Sequence, residues 1–419
     1  MSQAETIVKL EKLVHGGQAL ARLTDGRAVF VWGGLPGEKV QIQLLKQKKD
    51  YAEGVVEEVI KPSPERITPK DAAYLSTSPW QVMTIEAEQR EKQDILVETL
   101  KRAGVAHQDD ISVRTPRKTW QYRNKMEYSF YGDAAGLHLA LFKRGTHRKQ
   151  IVERSSLAMP AVDDTANRIR LVLADVGVRA GSLKTLIVRA DQKGNTTAAL
   201  FVKDENFPKI KDLAAVCQGL VVYYSTPKSP ASVLTKELYR HGETILQDEL
   251  LGHTIRYDVT SFFQVNIDEL LPAASTIAEY MGVDGEVVDF YAGVGTFAAI
   301  AGASKMVELD SVNIQLARRN VAKSCEVVHA SAEHSLEHIP TGEHTGLIVD
   351  PPRAGLHKNV IQQIRQKQPD RIAYLSCNPV TQARDLALLQ DRYAAVAING
   401  YNFFPRTPHI ESLTLLERK

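Results

Sequence analysis

The pattern of apolar and polar positions divides the 419-residue chain into three stretches with different periods. Residues 1–62 contain short β-rich runs separated by glycine turns, a pattern typical of a small β-barrel. Residues 63–250 begin with helical spacing over 85–102 and continue as mixed strands and helices, which predicts an α+β domain. Residues 251–419 alternate strand and helix, and this pattern predicts a Rossmann-like, doubly wound, mostly parallel α/β sheet.

The last stretch carries polar residues where its predicted strands end. Glu308, Asp350 and Cys377 each stand at the carboxyl end of such a strand, and a glycine turn at 292–296 follows another. Open α/β sheets bind their ligands at the carboxyl ends of the strands. We therefore expect these residues to meet in one crevice.

Composition excludes several classes of protein. No apolar stretch is long enough for a transmembrane helix, and the polar start of the chain shows no secretory signal. The three cysteines, Cys217, Cys325 and Cys377, are far apart in sequence, which argues against a disulfide framework and fits a reducing cytoplasm. The net charge of +2 is nearly balanced, so an anionic partner must be bound by local patches.

One such patch lies between residues 111 and 152. This window contains nine Lys or Arg, only two acids, and aromatic residues between them. Basic side chains follow a phosphate backbone, and aromatic faces stack on unpaired bases. The alternative is a hairpin with a buried aromatic core and solvated charges. The local, one-signed charge favours contact with RNA. The basic residues are Arg114, Arg117, Lys118, Arg123, Lys125, Lys143, Arg144, Arg148 and Lys149.

The glycine turn and the acids beyond it predict a nucleotide-like ligand. Gly293 and Gly295 let a ligand approach the backbone, and Glu308 at the next strand end is placed to bind ribose hydroxyls. This pattern fits a mononucleotide, NAD or S-adenosylmethionine equally well. Asp350, held by a stiff Pro-Pro pair, is predicted to point into the same crevice. Its presence narrows the choice among these three ligands.

Two further residues are candidates for bond-making chemistry. Cys377 lies before the turn Asn378-Pro379, where a thiol acts as a nucleophile or is simply buried. Glu411 lies at the start of the last predicted strand, two residues after His409, and is either a general base or a solvated acid.

Taken together, the motifs resemble the S-adenosylmethionine-dependent RNA uracil-5-methyltransferase family, which includes the transfer-RNA and ribosomal-RNA 5-methyluridine enzymes. The N-terminal segment, with its Gly16-Gly17 turn, resembles the TRAM domain, an RNA-binding barrel. Two interpretations are open for Lys46, Lys48 and Lys49 of this segment: they bind phosphates, or they form the solvated end of a hairpin. The ordered motifs are Tyr122-Arg-Asn-Lys-Met-Glu-Tyr128, Phe262-Phe-Gln-Val-Asn266, Asp289-Phe-Tyr-Ala-Gly-Val-Gly-Thr296, Val349-Asp-Pro-Pro-Arg-Ala-Gly355, Ser376-Cys-Asn-Pro379 and Pro408-His-Ile-Glu-Ser412.

The resemblance implies a role for each candidate. Cys377 would be the nucleophile that adds to C6 of uracil, and Glu411 the base that removes the C5 proton. The expected contacts of S-adenosylmethionine are Gln264, Tyr291, Thr296, Glu308 and Asp350. Alternatives are a catalytically inactive RNA-binding or RNA-folding factor, a cytosine-C5 or adenine methyltransferase and, more distantly, an NAD oxidoreductase.

The chain also departs from the family pattern. Many members carry a cysteine cluster for an iron–sulfur centre after the TRAM segment, whereas here residues 74–80 hold no cysteine, so we predict no cluster. In the loop after the third strand, Ser331 or Glu333 would contact adenine. The TRAM-like segment favours ribosomal RNA over transfer RNA as the substrate. We expect a cytoplasmic, monomeric enzyme without a membrane partner.

Overall fold

Four β-sheets organise the protein in a computed structural model that describes residues 6–106, 111–144, 146, 148–229, 232–282 and 285–419. Residues 1–5 of the first predicted domain lie outside this description. The α-helices within it are α1 (Tyr74–Thr77), α2 (Ile85–Arg102), α3 (Pro160–Asp175), α4 (Ile267–Tyr280), α5 (Thr296–Ile300), α6 (Ser311–Asn320), α7 (Lys358–Lys367) and α8 (Pro379–Leu389).

The N-terminal sheet has six strands in the order β1-β5-β6-β4-β3-β2. Its alternating sequence explains its core, because Val29 and Val31 on one strand point inward and are fully buried. The strands are β1 (Thr6–Lys9), β2 (Lys12–Leu13), β3 (Ala19–Arg22), β4 (Ala28–Trp32), β5 (Lys39–Gln47) and β6 (Tyr51–Lys61). The next strand, β7 (Ser112–Arg114), follows α2 and belongs to the C-terminal sheet.

The central sheet has seven strands in the order β10-β9-β8-β11-β12-β13-β14. Helix α3 packs on it through Val162, Ala166 and Ile169, which share a core with Leu186 and Leu200. The strands are β8 (Lys125–Asp133), β9 (Gly136–Phe142), β10 (Lys149–Ile151), β11 (Leu183–Ala190), β12 (Thr196–Val202), β13 (Gly219–Tyr224) and β14 (Lys236–Gly242).

A two-stranded hairpin, β15 (Ile245–Leu250) and β16 (His253–Asp258), connects the central and C-terminal parts. Its buried residues Leu246 and Leu250 belong to the same core as Met306 in the C-terminal part. The boundary placed at 250/251 from the sequence therefore falls at the turn of a hairpin that packs as one unit.

The C-terminal sheet has eight strands in the order β19-β18-β17-β20-β21-β23-β22-β7. The first five are parallel neighbours, and β23 runs antiparallel to both of its neighbours. The prediction of a Rossmann-like, mostly parallel sheet is confirmed. The remaining strands are β17 (Val287–Phe290), β18 (Lys305–Glu308), β19 (Glu326–His329), β20 (Gly342–Val349), β21 (Pro369–Ser376), β22 (Tyr393–Tyr401) and β23 (Glu411–Arg418).

Helix α2 packs on this C-terminal sheet rather than on the central one. Its buried residues Ile95, Leu96 and Leu100 share a core with Leu386 and Leu389 of α8. Strand β7 extends the same sheet, with Val113 paired to Gly400. The segment between the N-terminal and central sheets is thus part of the scaffold of the predicted crevice.

Candidate active site

The register of the parallel strands brings the predicted site residues to one edge of the sheet. Phe290 of β17 lies opposite Val307 of β18 on one side and opposite Val349 of β20 on the other. The residues that follow these three in the chain are Tyr291, Glu308 and Asp350, so they emerge side by side. The three strand ends therefore meet at one edge of the sheet, as expected from the sequence.

The antiparallel strand β23 brings the last two candidates together. Ser376 at the end of β21 is paired with Ser412 near the start of β23. Because antiparallel neighbours run in opposite directions, Cys377 and Glu411 are the next pair across the two strands.

These residues line a single cleft of about 490 Å³. It includes Gln264, Tyr291, Glu308, Asp350, Cys377 and Glu411 of the predicted set. Thr296 instead lines a small adjoining pocket that shares Gln264, Tyr291 and Asp350 with the cleft. The other residues of the cleft are Phe262, Phe263, Val265, Gly293, Asn313, Pro351, Pro352, Arg353, Phe404 and His409.

The thiol of Cys377 is unpaired and half-buried. Burial raises its pKa to about 11, and the charges of Glu411 and Asp350 raise it as well. The guanidinium of Arg353 opposes them, since it lowers the pKa through its charge and a hydrogen bond to the thiol. In the free protein the sulfur therefore holds its proton at neutral pH.

Sequence reasoning missed Arg353, although it belongs to the Asp350-Pro-Pro-Arg motif. Its backbone carbonyl accepts hydrogen bonds from Asn378 Nδ2 at 2.9 Å and from Thr381 Oγ1 at 3.2 Å. These bonds join the Pro-Pro turn to the start of α8, directly after the cysteine. The sequence signal that could have identified Arg353 was its place in the stiff Pro-Pro turn that follows β20, the strand beside the one that ends at the cysteine.

The two acids beside the thiol hold protons more tightly than exposed carboxyls do. Burial raises the pKa of Asp350 to about 7. Burial also raises the pKa of Glu411 well above its usual value, the charge of Asp350 adds to this, and that of Arg353 opposes it. Glu411 is 2% exposed and lines the cleft. A carboxylate with a raised pKa is a better proton acceptor.

The imidazole of His409 is a second group whose importance the sequence did not show. Its Nε2 lies 3.5 Å from Arg353 Nη2, and its ring meets that of Phe404 edge-on with 5.7 Å between centroids. Burial lowers its pKa to about 3, and the charge of Arg353 lowers it further. His409 is therefore neutral at physiological pH.

The cleft also contains groups that fit the adenosyl group of S-adenosylmethionine. Glu308 is held in place because its carboxylate accepts hydrogen bonds from the backbone N–H of Gly293 at 2.8 Å and of Asp310 at 2.7 Å. Its remaining lone pairs suit ribose hydroxyls. Two buried polar atoms, Tyr291 Oη and Asn313 Oδ1, have no hydrogen-bond partner among the described residues. Groups of this kind call for a polar ligand.

The choice between Ser331 and Glu333 for adenine stays open. Neither residue lines the cleft. Glu333 does act on a residue of the cleft, because its charge raises the pKa of Tyr291. Asn313, which the sequence did not single out, does line the cleft.

The basic block divides into structural and exposed residues. Arg144 stacks on Trp32 at 4.1 Å and donates to the carbonyl of Leu75, and Lys149 donates to Phe130 O at 2.7 Å. Tyr122, Tyr128 and Phe130 are core residues, whereas Phe142 is 54% exposed. The exposed cations of the block are Arg114, Arg117, Lys118, Lys143 and Arg148, and Lys46, Lys48 and Lys49 are exposed on the N-terminal sheet.

Two parts of the chain match known protein families. Residues 298–419 match the family model of tRNA (uracil-5-)-methyltransferase, and residues 4–56 match that of the TRAM domain. The chain is similar to an uncharacterized RNA methyltransferase of Thermotoga maritima, with 28% identity over 98% of both chains. It is also similar to one of Caldanaerobacter subterraneus, with 27% identity over 100% of both.

A solved structure shares the whole fold. The tRNA (uracil-54, C5)-methyltransferase of Pyrococcus abyssi, in complex with S-adenosyl-L-homocysteine, superposes with a TM-score of 0.79. The match covers 98% of this chain and 99% of that one at 20% identity, so it shows the fold.

Fold, cleft and family models together define an S-adenosylmethionine-dependent RNA methyltransferase. Its C-terminal part matches the tRNA (uracil-5-)-methyltransferase family, and its N-terminal part matches the TRAM domain. No helix within the described residues is long and apolar enough to cross a membrane. The absence of an iron–sulfur cluster stays a prediction, which iron analysis of purified protein would check.

Proposed function

We propose that the protein makes 5-methyluridine in RNA, with Cys377 as the nucleophile and Glu411 as the base. The observation that carries the proposal is the position of the Cys377 thiol and the Glu411 carboxyl in one cleft, next to each other across β21 and β23. A nucleophile and a proton acceptor must both reach the same substrate ring.

The reaction begins at the thiol. Cys377 gives up its proton to the Asp350 carboxylate, which leaves Glu411 free to accept the C5 proton later, and its sulfur forms a bond to C6 of uracil. The C5–C6 π electrons move towards O4, which makes an enolate and turns C5 into a carbon nucleophile. Arg353 favours this step because its positive charge stabilises the thiolate.

S-adenosylmethionine, when bound, supplies the methyl group as an electrophile on a sulfonium centre. Glu308, Tyr291 and Asp350 line the same cleft and would hold that molecule. Glu411 then takes the proton from C5, the C5–C6 double bond re-forms, and the Cys377 sulfur leaves. The raised pKa of Glu411 suits it to this proton transfer.

The burial of the thiol requires the target base to leave its stack. A thiol that is half-buried in a cleft of about 490 Å³ cannot be reached by a base that stays inside a helix. The exposed cations of the basic block and of the N-terminal sheet are suited to hold the surrounding phosphates. We infer a uridine in ribosomal or transfer RNA as the substrate, with the TRAM domain favouring ribosomal RNA.

The test uses the full-length protein, S-adenosylmethionine with a deuterated methyl group, and unmodified ribosomal and transfer RNA transcripts. Nucleoside mass spectrometry should find labelled 5-methyluridine and no labelled 5-methylcytidine, and Cys377→Ala should abolish the product. Cys217→Ala is the matched control, since Cys217 lies in the central domain outside the cleft. Turnover by Cys377→Ala, or labelled 5-methylcytidine from the unchanged protein, would overturn the proposal.

A further inference from the structure

His409 has a hydrogen-bonding pattern that Arg353 determines. A guanidinium can only donate, so the contact of 3.5 Å between Arg353 Nη2 and His409 Nε2 makes Nε2 the acceptor. In a neutral imidazole the proton must then be on Nδ1. Nδ1 has no hydrogen-bond partner among the described residues, and the ring lines the cleft. His409 therefore carries an N–H donor for which the described residues provide no acceptor, on a side chain that lines the cleft.

The surroundings of His409 keep this donor neutral. Its pKa is lowered first by burial and then by the positive charges of Arg353, Lys92, Arg123 and Arg144. These cations belong to three different parts of the chain, the segment of α2, the central domain and the C-terminal sheet. The imidazole thus keeps one donor and one acceptor nitrogen throughout the physiological pH range.

The position of His409 relative to Cys377 and Glu411 points to the oxygen on C4 of the substrate uracil. Arg353 contacts both the Cys377 thiol and the His409 ring, so His409 is one side chain away from the attacking sulfur. Glu411 follows His409 by two residues and lies beside Cys377. On uracil, C6, C5 and C4 are consecutive atoms. If the sulfur is at C6 and the base acts at C5, the next position along the ring is C4 with its oxygen.

We propose that His409 donates the hydrogen bond of its Nδ1–H to O4 of the target uracil and thereby selects uracil over cytosine. The inference rests on the proposed function, because it assumes sulfur addition at C6. That addition places negative charge on O4, where a fixed donor stabilises it more than it stabilises the ground state. Cytosine carries an amino group at C4, which is itself a donor and cannot accept this bond.

Two variants separate the hydrogen bond from the shape of the side chain. His409→Phe keeps an aromatic ring against Phe404 but removes the donor, and His409→Asn keeps an amide N–H. We expect His409→Phe to lower kcat roughly 100- to 1000-fold with little change in KM, as for loss of one oxyanion donor. His409→Asn should recover part of kcat, and the preference for uridine over cytidine at the target position should fall in His409→Phe.

Atomic substitution of the RNA provides the sharper measurement. Sulfur is a weaker acceptor than oxygen, so the unchanged protein should methylate a 4-thiouridine substrate more slowly than a 2-thiouridine substrate. His409→Phe should lose this difference, as a double-mutant cycle requires when the two altered groups interact. An equal difference in both proteins, or wild-type kcat in His409→Phe, would overturn the inference. Failure of the proposed function itself would be visible separately, as absence of 5-methyluridine from the unchanged protein.

Discussion

The ammonium group of Lys92 lies 2.9 Å from the carboxylate of Glu88 within α2, and neither side chain is exposed to solvent. Lys92 also donates to Asn402 Oδ1 at 2.6 Å and to Phe404 O at 3.2 Å. Glu88 accepts from the backbone N–H of Arg406 at 2.9 Å. The buried pair therefore holds the segment 402–409, which ends in His409, just before Glu411.

Replacement of Lys92 by Met should destabilise the protein strongly. It leaves the Glu88 carboxylate buried without its cation, and breaking a buried pair in this way costs about 3–5 kcal/mol. Urea denaturation of the two proteins at neutral pH measures the change. The matched control is the double variant Lys92→Met, Glu88→Gln, which removes both charges and should recover part of the loss. Equal stability of the single variant and the unchanged protein would contradict the assigned role of the pair.

Replacement of Arg353 by Gln should make Cys377 less reactive. Loss of the cation lets the pKa of the thiol rise further, so the thiolate fraction falls and alkylation by iodoacetamide at about pH 8 slows roughly 3- to 10-fold. Mass spectrometry of the Cys377 peptide gives the rate. Lys358→Gln, which removes an exposed cation at the start of α7, should leave it unchanged.

The same alkylation assay tests the raised pKa directly. With a pKa of about 11, the thiolate fraction in the unchanged protein should increase about tenfold per pH unit between about pH 7 and 9. A rate that does not depend on pH in this interval would show that Cys377 is already ionised and would contradict the statement that burial raises its pKa.

Asp350→Asn should stabilise the protein at neutral and alkaline pH. Folding raises the pKa of this carboxyl to about 7 from 3.8, so above pH 3.8 the unfolded chain releases a proton that the folded protein retains. The resulting cost to folding grows from pH 3.8 to about 7 and then stays constant. Asparagine removes that cost and should also abolish methyl transfer, as expected where function opposes stability.

Thermal unfolding at about pH 5 and pH 8 measures this effect. The gain in Tm of Asp350→Asn should be larger at the higher pH. Asp212→Asn is the control, because Asp212 is exposed in the central domain and should show no comparable difference. A lower Tm for Asp350→Asn at both values would rule out burial as the cause of the raised pKa.

Much of the site could be predicted because its residues directly follow strands. Tyr291, Glu308, Asp350 and Cys377 stand at strand ends in the sequence, and parallel pairing brings such ends to one edge. The helix predicted over 85–102 is also observed with the same bounds, because its start and end carry local signals.

Other features depend on contacts between distant parts of the chain. Lys92 meets Asn402 across 310 positions, and no local pattern shows that α2 belongs to the C-terminal sheet. The predicted boundary at 250/251 divides the hairpin of β15 and β16, because no local signal shows that both strands pack with the C-terminal core. Arg353 and His409 acquire their roles from the cleft and from each other, and the sequence shows neither relationship.

The most direct test of the central claim is covalent capture of RNA by Cys377. A target RNA that contains 5-fluorouridine should form an adduct with the protein in the presence of S-adenosylmethionine, because Glu411 cannot remove fluorine as a proton and the sulfur stays bonded to C6. Denaturing gel electrophoresis should show the adduct, and peptide mass spectrometry should assign it to Cys377 and not to Cys217 or Cys325. Absence of an adduct from a protein that still methylates the corresponding uridine RNA would contradict the account.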